Sequence, residues 1–145
     1  MPNNDCLTKW AIIKDSVDDF MALFQEELTP CFKTSELIVM DAVKPDDYYP
    51  FTNLQGVYCV FDTIGNLAYI GKASGRNAIG HRLHVCLKPF WDKTEWPNKW
   101  KASPPAYYGT IGLHNNDDGK SSWAAAGLEE YLIKKLQPYH NKNLR

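Results

Sequence analysis

Residues 56–71 read GVYCVFDTIGNLAYIG. Two β-rich runs flank Thr63-Ile64-Gly65-Asn66, and each run carries a tyrosine close to a glycine. In the first run Val57, Cys59 and Phe61 alternate with Tyr58, Val60 and Asp62, the period of two that a strand requires. A loop over residues 63–66 pairs Asp62 with Leu67 and Val60 with Tyr69. Paired residues share a face, so the spacing predicts Tyr58 and Tyr69 as diagonal neighbours on one side of a hairpin. Hairpins also put aromatics together for packing alone, so the pair becomes a site only through what other segments bring to it.

The segments that follow supply candidates. Residues 78–88 read as a helix closed by Pro89. Ile79, Leu83, Cys86 and Leu87 form its apolar stripe, His81, His84 and Lys88 lie opposite, and Arg82 falls about 60° from Ile79 at the stripe's edge. An arginine there either covers apolar surface with its stem or leans its guanidinium over the sheet. Residues 89–105, PFWDKTEWPNKWKASPP, interleave Trp91, Trp96 and Trp100 with Lys93, Lys99 and Lys101. Aromatic planes beside cations suit base stacking and phosphate contact, and equally a self-packed loop. AYYGTIGL, residues 106–113, reads as a third strand. A last helix runs from about Trp123 to Leu136, stopped by Pro138, with Ser121 or Ser122 as its cap. With Leu128 at 0°, Glu129 falls at about 100° among Leu132, Leu136 and Ile133, whereas Glu130 falls at about 200° and faces solvent. A carboxylate on a core-facing stripe calls for a cationic partner or a hard metal ion.

Ahead of the hairpin, Leu7, Trp10, Ile13, Val17, Phe20, Met21, Phe24 and Leu28 recur at helical steps, and Pro30 ends the pattern. This amphipathic helix packs on the core or forms the seam of a homodimer. SELIVMDAV, residues 35–43, reads as either strand or short helix, and residues 44–55 read as a connector. The 145 residues suffice for one domain with an N-terminal appendage, and 13% aromatic content promises a substantial core. Residues 1–50 carry a net charge of −6 and residues 72–101 of +5. A basic middle on a nearly neutral chain suits contact with a polyanion at one place rather than coating of nucleic acid. The four cysteines are scattered singly, without metal-knuckle spacing, and read as buried thiols. No apolar run approaches the ~18 residues of a membrane helix. The opening MPNNDCLTKW lacks a secretory leader, so the expected location is cytoplasmic.

Taken together, Gly56-Val57-Tyr58, Tyr69-Ile70-Gly71 with ten residues between the tyrosines, Lys72, Arg82, and Glu129…Pro138…Asn141 resemble the GIY-YIG nuclease family. The resemblance covers about residues 51–145, which divides the chain into an N-terminal helical extension, 1–50, and a nuclease-like domain, 51–145. It implies an α/β fold of the α+β type: a three-stranded antiparallel sheet flanked by helices. It also implies hydrolysis of a DNA phosphodiester, in double-stranded DNA, with one Mg2+ or Mn2+ ion. Glu129 would hold the metal and Arg82 the scissile phosphate. Tyr58 would act as base or water-positioner, Tyr69 would shape the site, and Asn141 would brace it. An unperturbed tyrosine titrates near pH ~10, so base action needs a nearby cation, for which Lys72 and His81 are candidates. His84 is a further proton-handling candidate. DNA contacts are expected from Lys72, Arg76, Lys88, Trp91, Lys93, Trp96, Lys99, Trp100 and Lys101. Arg76 competes with Arg82 as the family arginine; helix placement and the adjoining Leu83 favour Arg82. A catalytically silent nucleic-acid-binding module acting with a partner is the competing reading.

Overall fold

The computed structural model describes residues 2–40, 49–74, 78–92, 104–114, 122–139 and 141, with residues 88–92 described as helical backbone only. Its architecture is α+β. Helix α1 (Asn4–Met21) is followed by a 3-10 turn (Glu26–Leu28) and two short strands, β1 (Phe32–Thr34) and β2 (Ile38–Val39). The hairpin β3 (Gly56–Asp62) and β4 (Leu67–Ala73), helix α2 (Ile79–Asp92), strand β5 (Pro105–Leu113) and helix α3 (Ser122–Leu136) complete the described elements. All pairings are antiparallel, in the order β1-β5-β3-β4, with β2 also on β5.

The sheet therefore has five strands where three were expected. The two extra strands are pieces of one interrupted edge along β5, pairing with residues 111–113 and 107–108. Between them Ser35 keeps the ladder closed: its N–H donates to the Thr110 carbonyl at 2.8 Å and its Oγ accepts from the Thr110 N–H at 2.9 Å. Strands of three and two residues carry no readable period: β2 lies within the stretch 35–43 that reads as strand or short helix, and no element is expected over β1.

The sheet separates two apolar layers. On one face Val57, Cys59 and Phe61 of β3 pack with Ile70, Ile111 and Leu113 against α1 and α3. On the other, Tyr58 and Val60 pack with Tyr108, Met40 and Tyr49 against Leu83 and Leu87 of α2. Helix α1 thus shares a core with the sheet: Trp10, Ile13, Val17 and Phe20 are all buried there. Trp10 stands edge-on to Phe61 at 6.2 Å and donates from its indole to the Ser35 carbonyl at 2.9 Å. A β-carbon on Gly109 would come within 2.6 Å of Trp10 Cζ2, so glycine lets the indole lie directly on β5.

The apolar stripe on α1 is shorter than its period suggests. Leu7 is 47% exposed and Leu28 lies beyond the helix, which stops at Met21. There Leu23 and Phe24 donate to Phe20 and Met21 in tighter i→i−3 turns, and Phe24 swings onto Phe20 and Trp123. The stripe's buried side is covered by the chain's own sheet and α3. Helix α2 also departs from expectation, running through Pro89 to Asp92. Proline removes one N–H donor, and the carbonyl it would have served belongs to Val85, on the exposed side of the helix where water reaches it. No helix among the described residues is long and apolar enough to cross a membrane.

Truncation of the indole tests the shared core. Trp10→Ala should lower unfolding free energy by about 3–5 kcal/mol, read from urea denaturation, with one cooperative transition. An independent N-terminal appendage would instead leave the main transition unmoved.

Candidate active site

Four elements bring candidate residues within Coulombic reach of the two tyrosines: β3 carries Tyr58, β4 Tyr69, α2 Arg82 and α3 Glu129. The hairpin register sets the tyrosines. Tyr58 opposes Gly71 and Val60 opposes Tyr69, so both rings lie on the α2 side of the sheet, centroids 6.2 Å apart and tilted by 44°. Nearer the turn the expected pairing of Asp62 with Leu67 gives way to Phe61 with Leu67, through a bulge after Val60. The reason is local. Asp62 caps the turn, its Oδ1 accepting from the N–H groups of Ile64, Gly65 and Asn66 at 2.9–3.0 Å while its own N–H donates to the Asn66 carbonyl at 3.0 Å. Because the bulge lies beyond Tyr69, the shared face of the tyrosines survives it.

Gly71 determines how Tyr58 lies. A β-carbon there would meet Tyr58 Cε2 at 2.6 Å and the hydroxyl closer still, so the ring occupies space that any side chain at position 71 would take. Tyr58 is 3% exposed, under Leu83 and Leu87, whereas Tyr69 is half-buried. A side-chain hydrogen bond joins Tyr58 and Tyr69.

Burial pushes the Tyr58 phenol far above its ordinary 10.0; Cys86, Tyr69 and Glu129 push the same way, and only Arg82 opposes them. Tyr69 is also raised, chiefly by burial and then by Cys86 and Glu129, against Arg82 and the bond from Tyr58. The Arg82 guanidinium and the Glu129 carboxylate therefore both lie within Coulombic reach of both hydroxyls. The cation the tyrosines feel is Arg82, an exposed residue on α2. Lys72 opposes Val57, so it shares the α1/α3 face of the sheet, away from the tyrosines, and His81 is exposed on α2. Arg82 lowers the Tyr58 phenol but does not outweigh burial, so the phenol is held above its ordinary value.

His84 is half-buried, its Nδ1 3.5 Å from the Tyr49 hydroxyl. Glu130, the solvent-facing glutamate, stands 3.7 Å from Lys134 one turn on, its side chain 42% exposed. Asn141 is buried on the open edge of β4. Its Oδ1 accepts from the Ile70 N–H at 2.8 Å and its Nδ2 donates to the Ile70 carbonyl at 2.9 Å, a side chain completing the ladder between Tyr69 and Gly71. Arg76, Lys93, Trp96, Lys99, Trp100 and Lys101 lie outside the described residues, and the side chains of Lys88 and Trp91 are not described.

Three residues near the hairpin escaped the sequence reading. Cys86 counts as one more apolar position in the helical pattern, yet it packs against the tyrosine layer. Asp62 and Tyr139 form a second clamp, the Tyr139 hydroxyl donating to Asp62 Oδ2 at 2.7 Å with Asp62 only 2% exposed. A lone aspartate at a turn was a readable signal for the cap; nothing local pointed to Tyr139. None of the four cysteines is in a disulfide.

Compared with family models, curated proteins and solved structures, the chain matches none.

Two outcomes follow from this geometry. Asn141→Ala leaves both main-chain groups of Ile70 without their partner, at a cost of about 1–3 kcal/mol; hydrogen exchange should show the Ile70 amide losing protection before those of β3. The raised phenols of Tyr58 and Tyr69 bind their protons more tightly in the folded than in the unfolded chain. The stability they contribute is therefore present below pH ~10 and lost as pH rises beyond it. Cys6, pushed up to about 11 by burial, and buried Cys59 act with the same sign from pH ~9. Urea midpoints should fall steeply above pH ~10 together with the rise of tyrosinate absorbance, and Tyr58→Phe should flatten that fall.

Proposed function

We propose that this chain is a divalent-metal-dependent DNA endonuclease of the GIY-YIG type, hydrolysing phosphodiester bonds. The observation that carries this reading is the convergence of one guanidinium, Arg82, and one carboxylate, Glu129, on the paired hydroxyls of Tyr58 and Tyr69. Arg82 is exposed and offers a fork of donors to a phosphate, with a permanent charge to balance what develops as the bond breaks. The tyrosine hydroxyls, fixed by the sheet and by Gly71, orient the attacking water without carrying charge themselves. Asn141 holds the strand from which Tyr69 projects.

Among the described residues no group of three or more His, Cys, Asp and Glu could hold a metal ion. A partly exposed single carboxylate beside phenol oxygens fits Mg2+ or Mn2+, which take few protein ligands and keep their waters. Glu129 would hold the ion, which when bound supplies Lewis-acid polarisation of a phosphoryl oxygen. Double-stranded DNA is the proposed substrate.

Supercoiled plasmid supplies the test. The wild-type chain should nick it in Mg2+ or Mn2+ and not in EDTA, and Glu129→Ala or Arg82→Ala should lower the rate about a hundredfold or more while DNA still binds. Cleavage undiminished in Glu129→Ala would sink the assignment. Salt-sensitive binding in EDTA, with no nicking in any divalent metal, would mark a silent binding module instead.

A further inference from the structure

Helix α1, the hairpin turn and the end of α3 border a cleft of about 360 Å3, a volume within the range of small-ligand sites. Its lining divides by chemistry. Ile12, Leu67 and Leu136 form the apolar part. Leu67 and Leu136 are half-buried against the core that α1 and α3 share, whereas Ile12 is 45% exposed. Its neighbour Ile13 is fully buried, so α1 gives one isoleucine to the core and leaves the other at the cleft.

The polar part lies at the turn. The Lys9 ammonium donates to the Gly65 carbonyl at 3.2 Å and to Asn66 Oδ1 at 2.8 Å. Both acceptors are neutral, and an ammonium has three donors, so a fixed positive charge stands at the cleft with an N–H to offer. Asn66 receives the lysine on its oxygen and keeps its NH2 group for a further acceptor. The other polar residues of the lining point their donors elsewhere. The Tyr139 hydroxyl donates to Asp62 Oδ2 at 2.7 Å, and Gln137 Nε2 donates to the Lys134 carbonyl at 2.9 Å. Gln137 also holds a left-handed backbone, φ 51°, and its N–H closes α3 on the Ile133 carbonyl at 2.9 Å, which fixes that border. Among the lining residues only Lys9 is charged.

We propose that this cleft binds a small monocarboxylate with an apolar body, its carboxylate on Lys9 and Asn66 and its body over Ile12, Leu67 and Leu136. One fixed cation balances one negative charge. A dianion would bring a second charge against aliphatic walls with no cation in the lining to meet it. The body gains affinity by covering exposed Ile12, and the charge-assisted bond to Lys9 selects the acid over the alcohol. A bound acid ties α1 to the turn more firmly than Lys9 does alone. The proposal is independent of the nuclease reading, since the cleft shares no residue with the candidate active site.

The test titrates the full-length, 15N-labelled chain with octanoate at neutral pH, with octan-1-ol and acetate as the body and the head alone. Octanoate should bind saturably at one site, shifting the amides of Lys9, Ile12, Gly65, Asn66 and Gln137 and slowing hydrogen exchange at the turn. Octanol and acetate should each bind about tenfold more weakly or worse. Lys9→Met should raise the octanoate Kd about tenfold or more without changing that of octanol, and Lys9→Arg should restore it. Ile12→Asn, at a half-exposed position, should weaken octanoate while leaving the urea midpoint in place. Octanol binding as tightly as octanoate, an unchanged Kd in Lys9→Met, shifts confined to the α2 side of the sheet, or no saturation would each overturn the proposal.

Discussion

The ring of Tyr58 fills the space where a side chain at Gly71 would stand, and the rest of the candidate site depends on that contact. It carries the Tyr58 hydroxyl across β4 to meet Tyr69, and it brings an ionisable group into a layer closed by Leu83 and Leu87. Burial then dominates the electrostatics. Arg82 favours ionisation of both tyrosines, but desolvation with the nearby Glu129 and Cys86 outweighs it. The result is a hydrogen-bonded pair of phenols, both raised above their ordinary value, within Coulombic reach of one cation and one anion.

Holding this pair requires the hairpin to be rigid at its turn and along its open edge, and segments remote in sequence supply both. Asn3 donates to the Ile64 carbonyl at 3.2 Å, and Lys9 donates to the Gly65 carbonyl at 3.2 Å and to Asn66 Oδ1 at 2.8 Å, so the start of α1 grips the turn. Tyr139 grips it from the other end of the chain through Asp62, and Asn141 closes the edge at Ile70. Helix α1 also places its exposed Asp15, Asp18 and Asp19 on the opposite side of the sheet from Arg82.

The hairpin, the third strand and the last helix were legible because each is long enough to show its period. The same parity put Tyr58 and Tyr69 on one face. The helical angle that separated Glu129 from Glu130 reflects a difference the structure keeps, with Glu130 beside Lys134 and Glu129 near the tyrosines. What stayed hidden was set by tertiary contact. Strands β1 and β2 exist because β5 offers an edge to pair with, not because five residues insist on extension. Helix α2 tolerates Pro89 because the bond it forfeits falls on the solvent side. The state of Tyr58 was the least legible of all: sequence showed cations nearby in number, and only packing revealed that burial outweighs the cation that reaches it.

The most direct measurement of the central claim is the chemistry of the ends left in nicked plasmid. Hydrolysis at a site that orients water should give Mg2+-dependent nicks with 3′-hydroxyl and 5′-phosphate ends, resealed by DNA ligase without prior treatment. Nicks that ligase cannot reseal, or plasmid left intact in every divalent metal, would contradict the account.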